Sequence, residues 1–464
     1  MMADVETLTA FLTPTRVRWA AFIVVNALIA GFFAASLTAR PSPIKAALLP
    51  GETTHGHYQI ELACSACHDA SSAAGASADD VMNDACVRCH GEQLRDADDT
   101  HPARKFNDPV HADLLATLDA QSCLSCHAEH VPERTTAMGL TMPVDYCWHC
   151  HQDVGDSRPS HVGMTHDTCA TAGCHNYHDN RALYEKFLDN HYGQPDLLAE
   201  FTRLELTSVA PPATPPAALH PAGLDIAPEI LSDWSADAHA AAGVNCGGCH
   251  GGDDVDQPWT DSVSLETCGG CHQRQSGSFV QGRHGMRLSP DLGVELSPMT
   301  PAMARLPMHA DAAHRELTCN ACHSGHRFDT AFAAADACLQ CHADDHSLAW
   351  RDTAHAGSDV GVTCATCHMP RTESDDGTVW VNHNQNTTLR PNETMARQVC
   401  LDCHGLEFSL SSLADVDAAR SCYAAAPDHR IESVQMAHNW FEARRAKRDA
   451  RKRSRRRAKT TTAL

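Results

Sequence analysis

Trp19 to Leu37 (WAAFIVVNALIAGFFAASL) is almost wholly apolar, with Asn26 the one clearly polar interruption and Arg16 and Arg18 on its N-terminal flank. About 20 apolar residues are needed to cross a bilayer, whereas the apolar part of a signal peptide typically has about 7 to 15. The run predicts an uncleaved transmembrane anchor over 19–37. Positive flanks stay inside, so residues 1–18 are expected in the cytoplasm and everything after Arg40 outside. The small residues Ala34, Ala35 and Ser36 keep a cleaved signal as the alternative.

A different pattern closes the chain. Ile431, Val434, His438 and Phe441 fall at spacings of three, four and three, one face of a helix, and predict a helical segment from Asp428 to about Lys459. Earlier, Ser208 to Ala217 (SVAPPATPPA) is proline-rich and predicts an extended, semi-rigid spacer, read as a boundary.

Between these features the chain is organised by the unit C-x-x-C-H. Ten copies occur: Cys64, Cys67, His68; Cys86, Cys89, His90; Cys123, Cys126, His127; Cys147, Cys150, His151; Cys246, Cys249, His250; Cys268, Cys271, His272; Cys319, Cys322, His323; Cys338, Cys341, His342; Cys364, Cys367, His368; and Cys400, Cys403, His404. An eleventh, fifth in chain order, is stretched to Cys169, Cys174, His175. The two thiols of such a unit can form thioethers with the vinyl groups of a haem, while the adjacent His turns onto the iron. A single C-x-x-C also fits half a zinc site or a thiol redox pair. Here a His follows the second Cys every time, and 22 of 23 Cys lie in the units, which leaves no cysteines for a disulfide framework. Eleven covalent haem c groups are expected. Cys422 stands outside them, as a buried apolar thiol or a reactive one.

Composition alone points elsewhere. Leu, Ile, Val and Phe make up 79 of 464 residues, about 17%, below the roughly 20% under which a highly charged chain is expected to be disordered. Haem resolves the conflict, because each porphyrin is an apolar plate that replaces aliphatic core. The formal charge is -22, yet eleven Lys or Arg lie between Arg444 and Lys459, so an acidic body carries a basic tail. Nucleic acid would be the usual partner for such a run, but an extracytoplasmic location excludes it. Anionic lipid, an acidic partner, the protein's own body or plain solvation remain.

The two halves repeat one another. The openings of units one and two are 22 residues apart, as are those of six and seven; His57 lies seven residues before Cys64, and His239 seven before Cys246. The third unit continues as Cys126-His127-Ala-Glu-His130 and the eighth as Cys322-His323-Ser-Gly-His326. The repeat nominates second axial ligands: His57, His101, His111, His130 and His161 in the first half, and His239, His284, His309, His326 and His355 in the second. His383 is the candidate for the eleventh iron or a neighbour. His55, His149, His166, His178, His191, His220, His314 and His346 are alternatives. Most irons should then be bis-His and low in potential.

Over roughly residues 55–405 the chain resembles the multihaem c-type cytochromes. The stretched unit at Cys169 to His175 is similar to those of tetrahaem class III cytochromes. Cys364-Ala-Thr-Cys367-His368-Met369-Pro370, with His383 downstream, is similar to the late part of the pentahaem nitrite reductase and octahaem oxidoreductase group. An anchor joined to multihaem domains resembles membrane quinol dehydrogenases. No C-x-x-C-K unit is present, so the Lys-ligated catalytic haem of the nitrite reductases is not carried over.

These readings predict a mainly α and irregular, haem-packed fold. The expected division is 1–18 cytoplasmic, 19–37 anchor, 55–206 five-haem module, 207–222 linker, 223–405 six-haem module and 406–464 helical segment with a basic tail. The expected function is electron transfer from a membrane, quinol-linked donor to a periplasmic acceptor, by a protein of the inner membrane with its haem domains in the periplasm. The alternative is an oxidoreductase acting on a small nitrogen or sulfur compound at one open haem.

Overall fold

The structure is a computed structural model, described here for residues 14–36, 43–68, 77–97, 101, 106, 109–136, 139–158, 161–169, 177–178, 185–206, 224–251, 258–358, 361–389, 392–428 and 432–461. The expected linker and the second half of the fifth unit, Cys174 and His175, lie outside these residues.

The apolar run forms one helix, Pro14–Ser36. At 1.5 Å per residue it is roughly 35 Å long, enough to cross a bilayer's hydrocarbon. The stretch Val17–Ala34 has a mean hydropathy of 1.9 and none of it is buried against protein. Its one polar interruption is satisfied internally, since Asn26 Nδ2 donates to the Phe22 carbonyl at 2.8 Å. The helix passes the length and composition test for a membrane anchor, a test that signal sequences pass as well.

The body consists of short helical pieces and irregular chain. Its strands are β1 (Arg371–Glu373) and β2 (Val379–Val381), an antiparallel ribbon that pairs Thr372 with Trp380. Length is limited by local capping. Ser77 caps the helix Ala78–Asp96 in a reciprocal box with Asp80, and that helix carries Cys86, Cys89 and His90. Thr363 caps Cys364–His368 in a like box with Thr366.

Most other units are single helical turns. In eight of them the His N–H donates to the carbonyl of the first Cys at 2.8–3.1 Å: His68, His127, His151, His250, His272, His323, His342 and His404. Residues three apart share a face of such a turn, so both thiols point the same way.

Little aliphatic core holds these pieces. One cluster is Ala396, Leu406 and Leu410, with Phe187 and Leu188 against it; another is Ala63, Leu292 and Leu296. The largest fully buried side chains are Asn384, Thr388 and Ser409, all polar.

The halves meet in two places. Near unit one, Gln59 Nε2 donates to the Arg283 carbonyl at 2.7 Å, and Arg283 Nη1 to the His55 carbonyl at 2.9 Å. Beyond the first five units, the Leu198 N–H donates to the Cys403 carbonyl at 2.8 Å and the Thr202 N–H to the Asp402 carbonyl at 3.0 Å. Residues 194–206, expected in the first module, therefore lie on the eleventh unit. The C-terminal helix is Glu432–Thr461. Its Arg445 guanidinium lies 5.4 Å over the ring of Tyr192.

Candidate haem-ligating sites

An iron held between two imidazoles sets their ring centres roughly 6 Å apart, because each nitrogen sits about 2 Å from the metal and about 1 Å beyond its own ring centre. Among the described residues nine His pairs stand at that separation, and each joins the His of a unit to a His from elsewhere.

In the first half, His90 faces His57 (5.9 Å), His151 faces His101 (6.1 Å) and His127 faces His178 (6.3 Å). In the second, His272 faces His239 (5.8 Å), His342 faces His284 (6.2 Å), His250 faces His326 (5.8 Å) and His323 faces His383 (6.3 Å). Finally His368 faces His346 (5.9 Å) and His404 faces His355 (6.1 Å).

Seven of the eleven nominated His stand in these pairs. His383 lies against the eighth unit, while the eleventh takes His355. His178 and His346, held only as alternatives on sequence, occupy the remaining two. His309 enters through its backbone, its N–H donating to the Cys341 carbonyl at 2.9 Å. The side chain of His111 and the whole of His175 lie outside the described residues, and His161 precedes the fifth unit in the chain by eight residues.

His130 is tied to the set by conformation. It has φ 61° and its counterpart His326 has φ 70°, a left-handed backbone that costs a non-glycine residue about 1–2 kcal/mol. His130 Nδ1 donates to the Gly51 carbonyl at 2.8 Å. A Cβ on Gly51 would meet the His130 carbonyl oxygen at 2.7 Å, so this approach needs glycine.

The rings are fixed from behind. Nδ1–H donates from His57 to Glu129 Oε1 (2.6 Å), from His239 to Asp237 Oδ1 (2.8 Å), from His101 to the Tyr177 carbonyl (2.8 Å) and from His383 to the Val381 carbonyl (2.9 Å). Among unit histidines, His250 donates to the Thr260 carbonyl (2.7 Å) and His404 to the Asp196 carbonyl (2.9 Å). Engaging Nδ1 leaves the Nε2 lone pair free for a metal, and metal-bound His are typically held this way. His149 does the reverse, turning Nε2 toward Asp145 at 3.9 Å.

Electrostatics agree with the geometry. Burial, with neighbouring His adding to it, pushes His284 and His368 down to about 4, so both are neutral at ordinary pH, the form a metal requires. Burial alone would raise the Glu129 carboxyl, yet the His57 hydrogen bond and charge, with bonds from Thr54, hold it below the usual range.

Successive units lie side by side. Cys86 lies close enough to Cys123, Cys268 to Cys319 and Cys338 to Cys364 for each to shift the other's thiol, which brings together units two and three, seven and eight, and nine and ten. Burial raises the thiols of Cys67 and Cys400, and a cysteine of the neighbouring unit adds to it: Cys89 of unit two for Cys67, and Cys367 of unit ten for Cys400. Cys422 is buried beside the tenth unit, and burial pushes its thiol up to about 11.

Haem fits these residues. Among the described residues, no three His, Cys, Asp or Glu side chains converge as ligands of a metal ion; imidazoles converge in pairs instead. The indole N–H groups of Trp350 and Trp380 are buried with no acceptor. An apolar plate carrying carboxylates would supply both the missing core and such acceptors.

The cytochrome c3 family model matches residues 56–152 and, a second time, residues 238–343. The chain has two cytochrome c3-like regions. Each contains four of the units, the first through the fourth and the sixth through the ninth. The matches support a multihaem c-type cytochrome, and cytochrome c3-like domains imply covalent haem c and electron transfer. They stop short of the tenth unit, on which the resemblance to the nitrite reductase group rests. No solved structure matches the chain.

Proposed function

We propose that the protein is a membrane-anchored electron carrier with eleven covalent haem c groups, mostly bis-His, passing electrons from a quinol-linked donor in the inner membrane to a periplasmic acceptor. The nine His pairs carry this reading. Haem supplies the one-electron chemistry; the chain supplies attachment, spacing and axial ligation. A five-haem module at 55–206, whose residues 194–206 pack on the eleventh unit, a six-haem module at 223–405, distal ligands for the first and fifth irons from among His111, His130 and His161, and the single N-terminal span belong to the same proposal.

The residues favour carrying over catalysis. Substrate binding needs an iron with an open position, and each of the nine pairs places a second imidazole where that position would be. This includes the tenth unit, where His346 stands against His368. Contacts run through units one, two and three, between seven and eight, and through nine, ten and eleven, and the contacts near Gln59 and Cys403 join the halves.

The mass of the mature protein tests the count. An excess over the polypeptide equal to eleven haems is expected, with residues 1–18 retained; any other haem number contradicts the proposal, and loss of the N-terminal segment replaces the anchor by a cleaved signal.

A further inference from the structure

Between the tenth and eleventh units lies a solvent-open cavity of about 330 Å³, lined by Arg203, Arg371, Arg397, Thr366, Gln398 and Asp402 among others. We infer that this cavity is an oxyanion site, built to take a carboxylate or small inorganic oxyanion on the guanidinium groups of Arg203, Arg371 and Arg397.

Three observations point there. First, three arginines converge in a protein whose formal charge is -22. Among the described residues none of them has a carboxylate at ion-pair distance, although Asp402 and Glu373 share the lining. The lining itself carries three guanidinium groups to two carboxylates, with Glu205 acting on Arg371 from outside it.

Second, two of the arginines are aimed by neutral acceptors. Arg203 Nη2 donates to Thr366 Oγ1 at 3.0 Å, and Arg371 Nη1 donates to the Leu204 carbonyl at 2.5 Å. Each guanidinium has five N–H donors in a fixed fork, so these bonds fix its orientation and leave donors over. Arg397 is positioned differently, 5.3 Å over the ring of Phe187.

Third, Trp380 stands opposite Thr372 across the ribbon, hence on the same face, and Thr372 lines the cavity. The Trp380 indole N–H is buried with no acceptor. Surplus donors and like charges are what a bidentate anion satisfies. The volume also lies within the range of small-ligand pockets.

The anion has two possible sources with one chemistry: a propionate of a haem attached at the tenth or eleventh unit, or a free oxyanion such as sulfate or nitrite. The propionate arm rests on covalent haem at those units, and haem counting by mass reports that reading's failure separately.

The test uses the full-length holoprotein, wild type and Arg371→Gln, with Arg397→Gln as the variant that disturbs no backbone bond and Arg274→Gln as a surface control. Titration calorimetry with sulfate and with nitrite is combined with a potentiometric titration of the haems. For a free oxyanion, the wild type binds saturably and the cavity variants lose about tenfold or more in affinity, as expected for a charge-assisted hydrogen bond. For an internal propionate, no added anion binds, and each cavity variant shifts the potential of one haem downward while Arg274→Gln shifts none. Cavity variants that load eleven haems yet change neither anion binding nor any potential overturn the site.

Discussion

The imidazole of His57 faces that of His90 with ring centres 5.9 Å apart, and its back is hydrogen-bonded to Glu129 at 2.6 Å. The second half builds the same device from His239, His272 and Asp237, at 5.8 and 2.8 Å. In both, a His preceding one unit faces the His of the next. Replacing His57 or His239 by Met should therefore raise the potential of one haem, on the order of 0.1 V within the roughly 0.8 V that axial ligands span. Spectroelectrochemical titration checks this, and an unshifted set of potentials would falsify those two assignments.

The carboxylate behind His57 has its own signature. Glu129 is held below the ordinary range in the folded protein. Its contribution to stability is therefore complete above the unfolded carboxylate pKa and is lost as pH falls through the lower folded value. Glu129→Gln should lower stability at neutral pH and flatten the acid limb, so that variant and wild type converge as pH falls. Thermal unfolding monitored from pH 7 down to pH 3 checks it.

Ring orientation predicts a spectrum. The planes cross at 87° in His101 and His151, 84° in His239 and His272, and 88° in His355 and His404. They are near parallel in His127 and His178 (17°) and in His250 and His326 (20°). Crossed imidazoles leave two iron d orbitals nearly degenerate, whereas parallel ones split them. The oxidised protein should show two families of low-spin signal, one highly anisotropic and one ordinary rhombic, rather than a single family.

His178 and His346 separate the structural assignment from the sequence one. His178→Ala and His346→Ala should each produce one high-spin haem per chain, whereas His309→Ala should produce none. Optical and magnetic spectra of the three variants decide it.

The multihaem cytochrome character was legible in the sequence, because Cys and His spacing carries the chemistry without reference to the fold, and the cytochrome c3 model matches regions holding eight of the units. Much of the distal set was legible too: an offset kept in both halves, such as that of His57 and His239, signals a shared role. His178 and His346 were hidden for different reasons. His178 lies three residues after His175, while its counterpart His383 lies fifteen after His368, so their offsets do not match. His346 lies in the short helix Asp345–Ala349, just beyond the ninth unit, yet faces the His of the tenth.

The docking of residues 194–206 on the eleventh unit was equally invisible. It rests on backbone hydrogen bonds such as Leu198 to Cys403, which leave no mark in side-chain pattern. The arginine cavity was missed because Arg203, Arg371 and Arg397 are far apart in sequence and only the fold brings them together.

The central claim is that a second imidazole closes the irons, so that the chain carries electrons rather than turning over a substrate. Spin-quantified electron paramagnetic resonance of the fully oxidised holoprotein, with and without nitrite, hydroxylamine or sulfite, tests it most directly. The account predicts low-spin signals only, unchanged by those additions. A high-spin signal equal to one haem per chain that shifts when any of them is added would contradict it.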